Sequence, residues 1–272
     1  MVYTILALPW SYDWANSEWG PPYWRNLIFT PDRETADLLF RVLKQNGPSF
    51  SKSPLLMRKR PSPQVWVWVG RAGNQIPYED VLKETINEIN TGSAPIKDEY
   101  KDRLRGCITI DYRGHYDKAD NSIPPIPHLD LPDRIAGRVF TIRDKSDPPL
   151  FWAGRTTYPG EGCIALSTCK RSRFRITIQG NTDPETVMVF DDQVSLELLY
   201  AGEKGLKALP VNIDDSTGLL RVVGDETQPQ TFPFGKLLKG GFIAATHYND
   251  DHTEYPTWVG NSEAGNHWEL SY

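Results

Sequence analysis

Short apolar runs, broken by Gly, Asp, Asn and Pro about every ten residues, fill the chain from about 134 to 272. That pattern predicts strands and turns, and an all-β unit. Gly137–Ile142, Val187–Phe190, Val194–Tyr200 and Leu237–Ala245 are its clearest strand runs. In Arg173–Ile178, Phe174, Ile176 and Ile178 alternate with Arg173 and Arg175, so one face is buried and the other wetted. Three segments close on a polar residue, a spacer, an aromatic, a spacer and an apolar residue: Ser172–Ile176, Gln230–Phe234 and Asn266–Leu270. Each follows an apolar triplet ending in alanine, Phe151-Trp152-Ala153, Leu206-Lys207-Ala208 and Phe242-Ile243-Ala244, with the closing aromatic 21, 24 and 24 residues beyond that alanine. A third apolar mark falls between, at Ile164–Leu166, Leu219–Val222 and Trp258-Val259. Repeats of this length describe units that cannot bury their own apolar face and must pack on copies of themselves.

The N-terminal part alternates strand-like and helix-like runs and predicts a small α+β domain over 1–120. Val2–Leu8, Asn26–Thr30, Gln64–Gly70 and Cys107–Tyr112 read as strands. Pro31–Glu34 opens a helix, with Thr30 as its N-cap and Gly47-Pro48 as its end, and Tyr78–Ile89 repeats the helical pattern. Ser51–Pro63, carrying Lys52, Arg58, Lys59 and Arg60, reads as a solvated loop. Four prolines between Asn121 and Pro132 suit neither helix nor central strand, which makes 121–133 a proline-rich linker and 134–272 a separate all-β domain.

Composition narrows the classes. A chain of 272 residues, 39% hydrophobic and 24% charged, has room for two globular domains. A net charge of -5 argues against nucleic acid as partner, and no run reaches the roughly 18 apolar residues of a membrane helix. The apolar start, Val2–Trp10, lacks a basic flank and reads as a first strand rather than a secretory leader. Cys107, Cys163 and Cys169 form no C-x-x-C pair, no asparagine lies in a glycosylation sequon, and the expected location is cytoplasmic. No motif calls for a cofactor.

The three closing segments, with Gln230-Thr231-Phe232 nearest to a Q-x-W motif, resemble the β-trefoil superfamily of ricin-B-type lectins and fascin-like proteins, over about half of the chain. Val194-Ser195-Leu196 followed by Gly205–Ala208 resembles the fascin-type hairpin opening. The resemblance implies a β-trefoil in which three aromatics converge on a pseudo-threefold axis. It implies binding rather than catalysis, with sugars the commonest ligands. The chain is similar to fungal chimeric lectins, although here the trefoil comes last. It departs from them in one respect: galactose-type sites carry an aspartate some 24 residues before the closing aromatic, where this chain has Leu150, Ala208 and Ala244.

The third repeat holds the richest set of candidate ligands. Asp250, Asp251, His252, Tyr255, Trp258, Asn261, Asn266 and His267 fall within 18 residues. Sugar sites need an aromatic face for the C–H surface and carboxylates or amides for hydroxyls. On the lectin reading Tyr255 or Trp258 stacks, and Asp250, Asp251, Asn261 or His267 hydrogen-bonds. The alternative makes Trp258 a core residue and Asn249–Asp251 a solvated turn. Trp10, Trp14, Trp19 and Trp24, interleaved with Tyr12 and Tyr23, form either a packing plug or a stacking surface. Asp111 and His115, at the end of a predicted strand, are weak acid–base candidates with no nucleophile motif beside them. The basic cluster Lys170, Arg171, Arg173 and Arg175 reads as solubilising surface or an anion contact. The leading expectation is a protein that binds a glycan or another small polar ligand. The alternatives are an enzyme with chemistry in its N-terminal domain, and a trefoil-type protease inhibitor with a protein partner.

Overall fold

The computed structural model describes residues 2–9, 25–50, 55–70, 80–113, 132–158, 161–202, 205–224, 226–245 and 257–272. The chain divides into two compact units, Met1–Asp133 and Arg134–Tyr272.

The first unit is built on strands β1 (Tyr3–Pro9), β2 (Arg25–Thr30), β3 (Leu55–Ser62), β4 (Val65–Gly70) and β5 (Thr109–Arg113), in the sheet order β3-β4-β1-β2-β5. All neighbours are antiparallel except β1 and β4. Helices α1 (Arg33–Asn46), α2 (Val81–Thr91) and α3 (Asp98–Leu104) accompany it. Alternation in Val65–Val69 sends Trp66 and Trp68 into the core and leaves the valines half-buried. The N-cap of α1 is Asp32 rather than Thr30: its Oδ1 accepts from the Thr35 backbone N–H at 2.8 Å, where an aspartate also complements the helix dipole. Helix α3, about two turns long, carries too short a pattern to show in the sequence.

The expected solvated loop at Ser51–Pro63 is corrected. From Leu55 onward it is the edge strand β3, whose register shifts on both sides of Lys59. Charge, proline and bulges are edge-strand features that discourage pairing with another chain. Arg60 is not solvated either. Its side chain is 3% exposed, and the guanidinium lies 4.8 Å from the Phe40 ring centre and 5.8 Å from that of Trp66. It pairs with Asp37, and its Nε lies 3.0 Å from Asp133 Oδ1. Arg33 Nη2 donates to Pro132 O at 2.6 Å, so the last residues of the proline-rich stretch are fastened into this unit. Residues 121–131 of that stretch lie outside the described residues.

The second unit is mostly β. Its strands are β6 (Val139–Asp144), β7 (Phe151–Tyr158), β8 (Glu161–Ser167) and β9 (Arg173–Ile178), then β10 (Gln193–Gly202), β11 (Gly205–Ile213), β12 (Leu220–Val222) and β13 (Phe232–Pro233). A short helix α4 (Phe234–Leu238) follows, then β14 (Lys239–Ala245), β15 (Trp258–Asn261) and β16 (Asn266–Ser271). The first and fourth strands of the repeats run side by side as β16-β6-β9-β10-β13. The hairpins β7–β8, β11–β12 and β14–β15 form a cap. Their third strands meet pairwise through Arg221↔Cys163, Trp258↔Ala165 and Leu219↔Gly260. Threefold repetition of a barrel strand, a cap hairpin and a second barrel strand is a β-trefoil-like architecture.

Inside the barrel the closing aromatics Phe174, Phe232 and Trp268 share one buried core. Two further aromatics bridge them. Trp152 meets Phe174, Trp268 and Phe242 edge-on at 6.0, 5.3 and 5.6 Å, and Phe242 meets Phe232 at 5.3 Å. The alanine-ended triplets, however, are not equivalent positions. The β10–β11 hairpin continues to Gly202↔Gly205, which leaves Leu206 68% exposed near its tip; Leu209 is the inward residue. Val187–Phe190 forms only an isolated bridge, Val187↔Ile135, rather than a strand.

Two of the strand-four to strand-one seams carry the same pair of contacts with the charges exchanged. At β16–β6, Glu269 meets Arg143 at 2.5 Å and Ser271 meets Thr141 at 2.6 Å. At β9–β10, Arg175 meets Glu197 at 3.5 Å and Thr177 meets Ser195 at 2.7 Å. At the third seam the corresponding residues, on the closing segment of the second repeat, are Pro233 and Gly235. Proline has no N–H for a ladder, and a Cβ on Gly235 would stand 2.0 Å from Phe190 Cδ1. The sixth barrel strand is accordingly replaced by α4, which corrects the expected strand Leu237–Ala245: it begins only at Lys239.

Candidate functional site

The polar residue of each closing segment proves structural. Ser172 Oγ accepts from the Gly154 N–H at 2.9 Å, Gln230 Oε1 from Ile213 at 2.7 Å, and Asn266 Oδ1 from Ala244 at 3.1 Å. Each ties the start of a fourth strand to a backbone N–H on the second strand of its own repeat. Asn266 also donates through Nδ2 to Asp144 Oδ2 at 2.9 Å. Asp144 Oδ1 in turn accepts from Ser146 N, Ser146 Oγ and Asp147 N. Burial raises the Asp144 carboxyl pKa, but these hydrogen bonds outweigh it and hold the group below its ordinary 3.8.

The outward face of the β14–β15 hairpin is the surface that offers a ring. Pairing puts Ile243 opposite Gly260 and Ala245 opposite Trp258. The other face carries Phe242 and Val259, both fully buried. Ile243 is 38% exposed and Trp258 half-buried. Across the cap, Trp258 is opposite Ala165, and Ala165 opposite Ala153, both alanines buried. The indole is therefore the one large side chain in a row of alanines, with a glycine at the next outward position. Trp258 is neither a core residue nor fully exposed.

Among the described residues, Asn261 and His267 do not gather around it. Asn261 is exposed at the far end of β15, where its backbone N–H donates to Gly218 O at 2.7 Å. His267 is exposed on β16 opposite Lys239, six residues along β14 from the partner of Trp258, or roughly 20 Å at about 3.3 Å per residue. Asp250, Asp251, His252 and Tyr255 lie outside the described residues, as do Trp10, Trp14, Trp19, Trp24 and His115. Asp111 is half-buried on β5 opposite Leu27. In the basic cluster, Arg173 is exposed, Arg175 is paired with Glu197, and Lys170 Nζ reaches Gly154 O at 3.4 Å.

Two structured carboxylates escaped the sequence reading. Besides Asp144, Asp214 Oδ1 accepts from the backbone and hydroxyl of both Ser216 and Thr217, and its Oδ2 lies 3.0 Å from Arg221 Nε. The Ser216 and Thr217 hydrogen bonds lower its pKa to about 2. Both sites follow a D-x-S pattern, the local signature of an Asx turn. The thiols of Cys107, Cys163 and Cys169 are free, and burial pushes that of Cys163 up.

No protein-family profile and no curated protein matches the sequence. Solved structures show distant likeness. The botulinum neurotoxin serotype D binding domain superposes with a TM-score of 0.39 at 10% identity, over 52% of this chain and 44% of that one. Winged bean albumin 1 superposes with a TM-score of 0.32 at 13% identity, over 50% of this chain and 92% of that one. The chain thus spans less than half of the neurotoxin domain, and similarities this low carry no argument about function. No described helix is long and apolar enough to cross a membrane.

Proposed function

We propose that the second unit is a recognition module for a small polar ligand, with carbohydrate as its ligand class. The observation behind this reading is the half-buried Trp258 indole among alanines on the outward face of the third cap hairpin. The part of the ring that stays exposed is a flat apolar surface of the kind on which the C–H face of a pyranose packs. Asp250, Asp251 and Tyr255, which precede Trp258 in sequence, are the candidates for the hydrogen-bonding groups of such a site. Because no aspartate stands 24 residues before any closing aromatic, the site is not of the galactose type described for ricin-B lectins. A glycan array probed with the full chain tests the reading, with Trp258→Ala as the control. Binding that disappears in a variant unfolding at the parent's temperature supports it; an array with no positive glycan defeats it.

A further inference from the structure

We infer that the outer wall of the barrel across β14, β16, β6 and β9 is a second binding surface, one that takes a linear sulfated polysaccharide. These four strands are neighbours in the sheet. Lys239 on β14 is opposite His267 on β16, and Lys145, the residue after β6, donates its backbone N–H to His267 O at 2.9 Å. All three side chains are exposed, so two lysines flank an imidazole in one row. On β9, Arg173 alternates with the buried Phe174 and points outward, and Arg171 is exposed just before it. Neighbouring strands stand about 4.8 Å apart, which spreads these groups over roughly 14 Å, the reach of an extended ligand rather than of a single ion.

The fold itself makes no use of these charges. On the adjoining rungs Glu269 pairs with Arg143 and Arg175 with Glu197, so those charges cancel. At the place in the β9–β10 seam that corresponds to Lys145 and His267, Arg173 is opposite Leu199, which carries no charge. Asp144, next to Lys145, is buried and engaged by Ser146, Asp147 N and Asn266. Asp147 and Glu263 are exposed on the turns beside the wall, and among the described residues neither forms an ion pair with it. Opposite charges across strands stabilise a sheet and like charges do not, so the row gains the fold no pairing. It stands on a chain of net charge -5.

The rings beside the wall narrow the ligand class. Lys239 Nζ stands 4.6 Å from the centre of Phe190, and Arg171 Cζ 6.0 Å from that of Phe151, both rings half-buried. These cation–π contacts steady two of the cations before any ligand arrives. They also cover both rings, so neither is open for the base stacking on which single-stranded nucleic acid relies. What the wall can read is repeated negative charge. Sulfate esters along a sugar chain supply it, with oxygens that accept from ammonium, imidazole and guanidinium groups alike. The wall and the Trp258 face are independent sites, and a failure at one leaves the other standing.

The test uses the full chain and three probes: a sulfated hexasaccharide cut from heparin, the same sugar stripped of its sulfates, and a thymidine oligonucleotide of equal charge. Each is titrated calorimetrically at about 0.05 M salt, where screening is weak. The sulfated sugar binds and the stripped sugar does not. Lys145→Gln, Lys239→Gln and Arg173→Gln each weaken binding about two- to fivefold, the contribution of one exposed ion pair, and the three together weaken it about tenfold or more. Lys207→Gln removes an exposed cation from β11 instead and changes the affinity less than about twofold, as does Trp258→Ala. The proposal is overturned if the sulfated sugar is not bound at about 1 mM, or if the stripped sugar or the oligonucleotide binds as tightly. It is also overturned if Lys207→Gln costs as much as the wall substitutions, or if Trp258→Ala abolishes binding.

Discussion

Replacing Asn266 by alanine separates a structural polar residue from a ligand-binding one. The side chain joins three segments: it accepts from Ala244 N at 3.1 Å on β14, donates to Asp144 Oδ2 at 2.9 Å, and begins β16. Asp144 is only 2% exposed, so water poorly replaces the lost donor. A hydrogen bond to a buried carboxylate contributes about 1.5–3 kcal/mol, and an unpaired, partly buried N–H costs about 1–3 kcal/mol more. Asn266→Ala therefore destabilises the second unit by about 3 kcal/mol, a large share of a typical 5–15 kcal/mol. The equivalent Gln230→Ala, at an exposed side chain, costs about 0.5–1 kcal/mol, and Ser172→Ala falls between them. Urea unfolding gives the totals. Because two units need not unfold in one step, amide hydrogen exchange at Ala244, Ile213 and Gly154 reports each bond locally. If Asn266→Ala proves no costlier than Gln230→Ala, or protection at Ala244 is unchanged, the stapling role assigned to this residue is wrong.

Arg60→Ala removes the cation shared by the buried carboxylates of Asp37 and Asp133, while Asp37 keeps Arg33 at 3.4 Å; the first unit loses about 3 kcal/mol, the low end for a broken buried pair, readable as an earlier urea transition. Acid weakens the second unit. Both Asp144 and Asp214 have folded pKa values below the ordinary 3.8, that of Asp214 about 2, so their stabilisation is complete above pH 4 and fades as pH falls towards 2. Asp214→Asn flattens that fall in a pH series of melting temperatures. At the seams, a double-mutant cycle on Arg143 and Glu269 gives a coupling of about 0.5–1 kcal/mol, larger than that of Arg175 and Glu197, whose atoms stand 3.5 rather than 2.5 Å apart. Gly265→Ala puts a Cβ 2.2 Å from Phe242 O, against backbone that cannot move freely; it costs about 2 kcal/mol, visible in thermal unfolding.

The closing aromatics were legible because burial of Phe174, Phe232 and Trp268 is a demand the sequence states directly, in type and spacing. The polar residues before them recur for a structural reason that spacing alone does not disclose, since a backbone N–H on another strand has no sequence signature. The false equivalence of Leu206 arose because hairpin length decides whether an apolar residue reaches the core. Arg60 was misread because charge on an edge strand and charge in a buried ion pair look identical in one dimension. At the candidate site, the outward register of Trp258 depends on the pairing of β14 with β15, and the wide separation of His267 from Trp258 follows only from where β16 joins β14.

Binding of the full chain to a glycan array, repeated with Trp258→Ala, measures the central claim most directly. The account predicts at least one glycan bound by the parent and lost by a variant that still unfolds cooperatively. A parent that binds no glycan, or a folded variant that binds as the parent does, contradicts recognition through the Trp258 face.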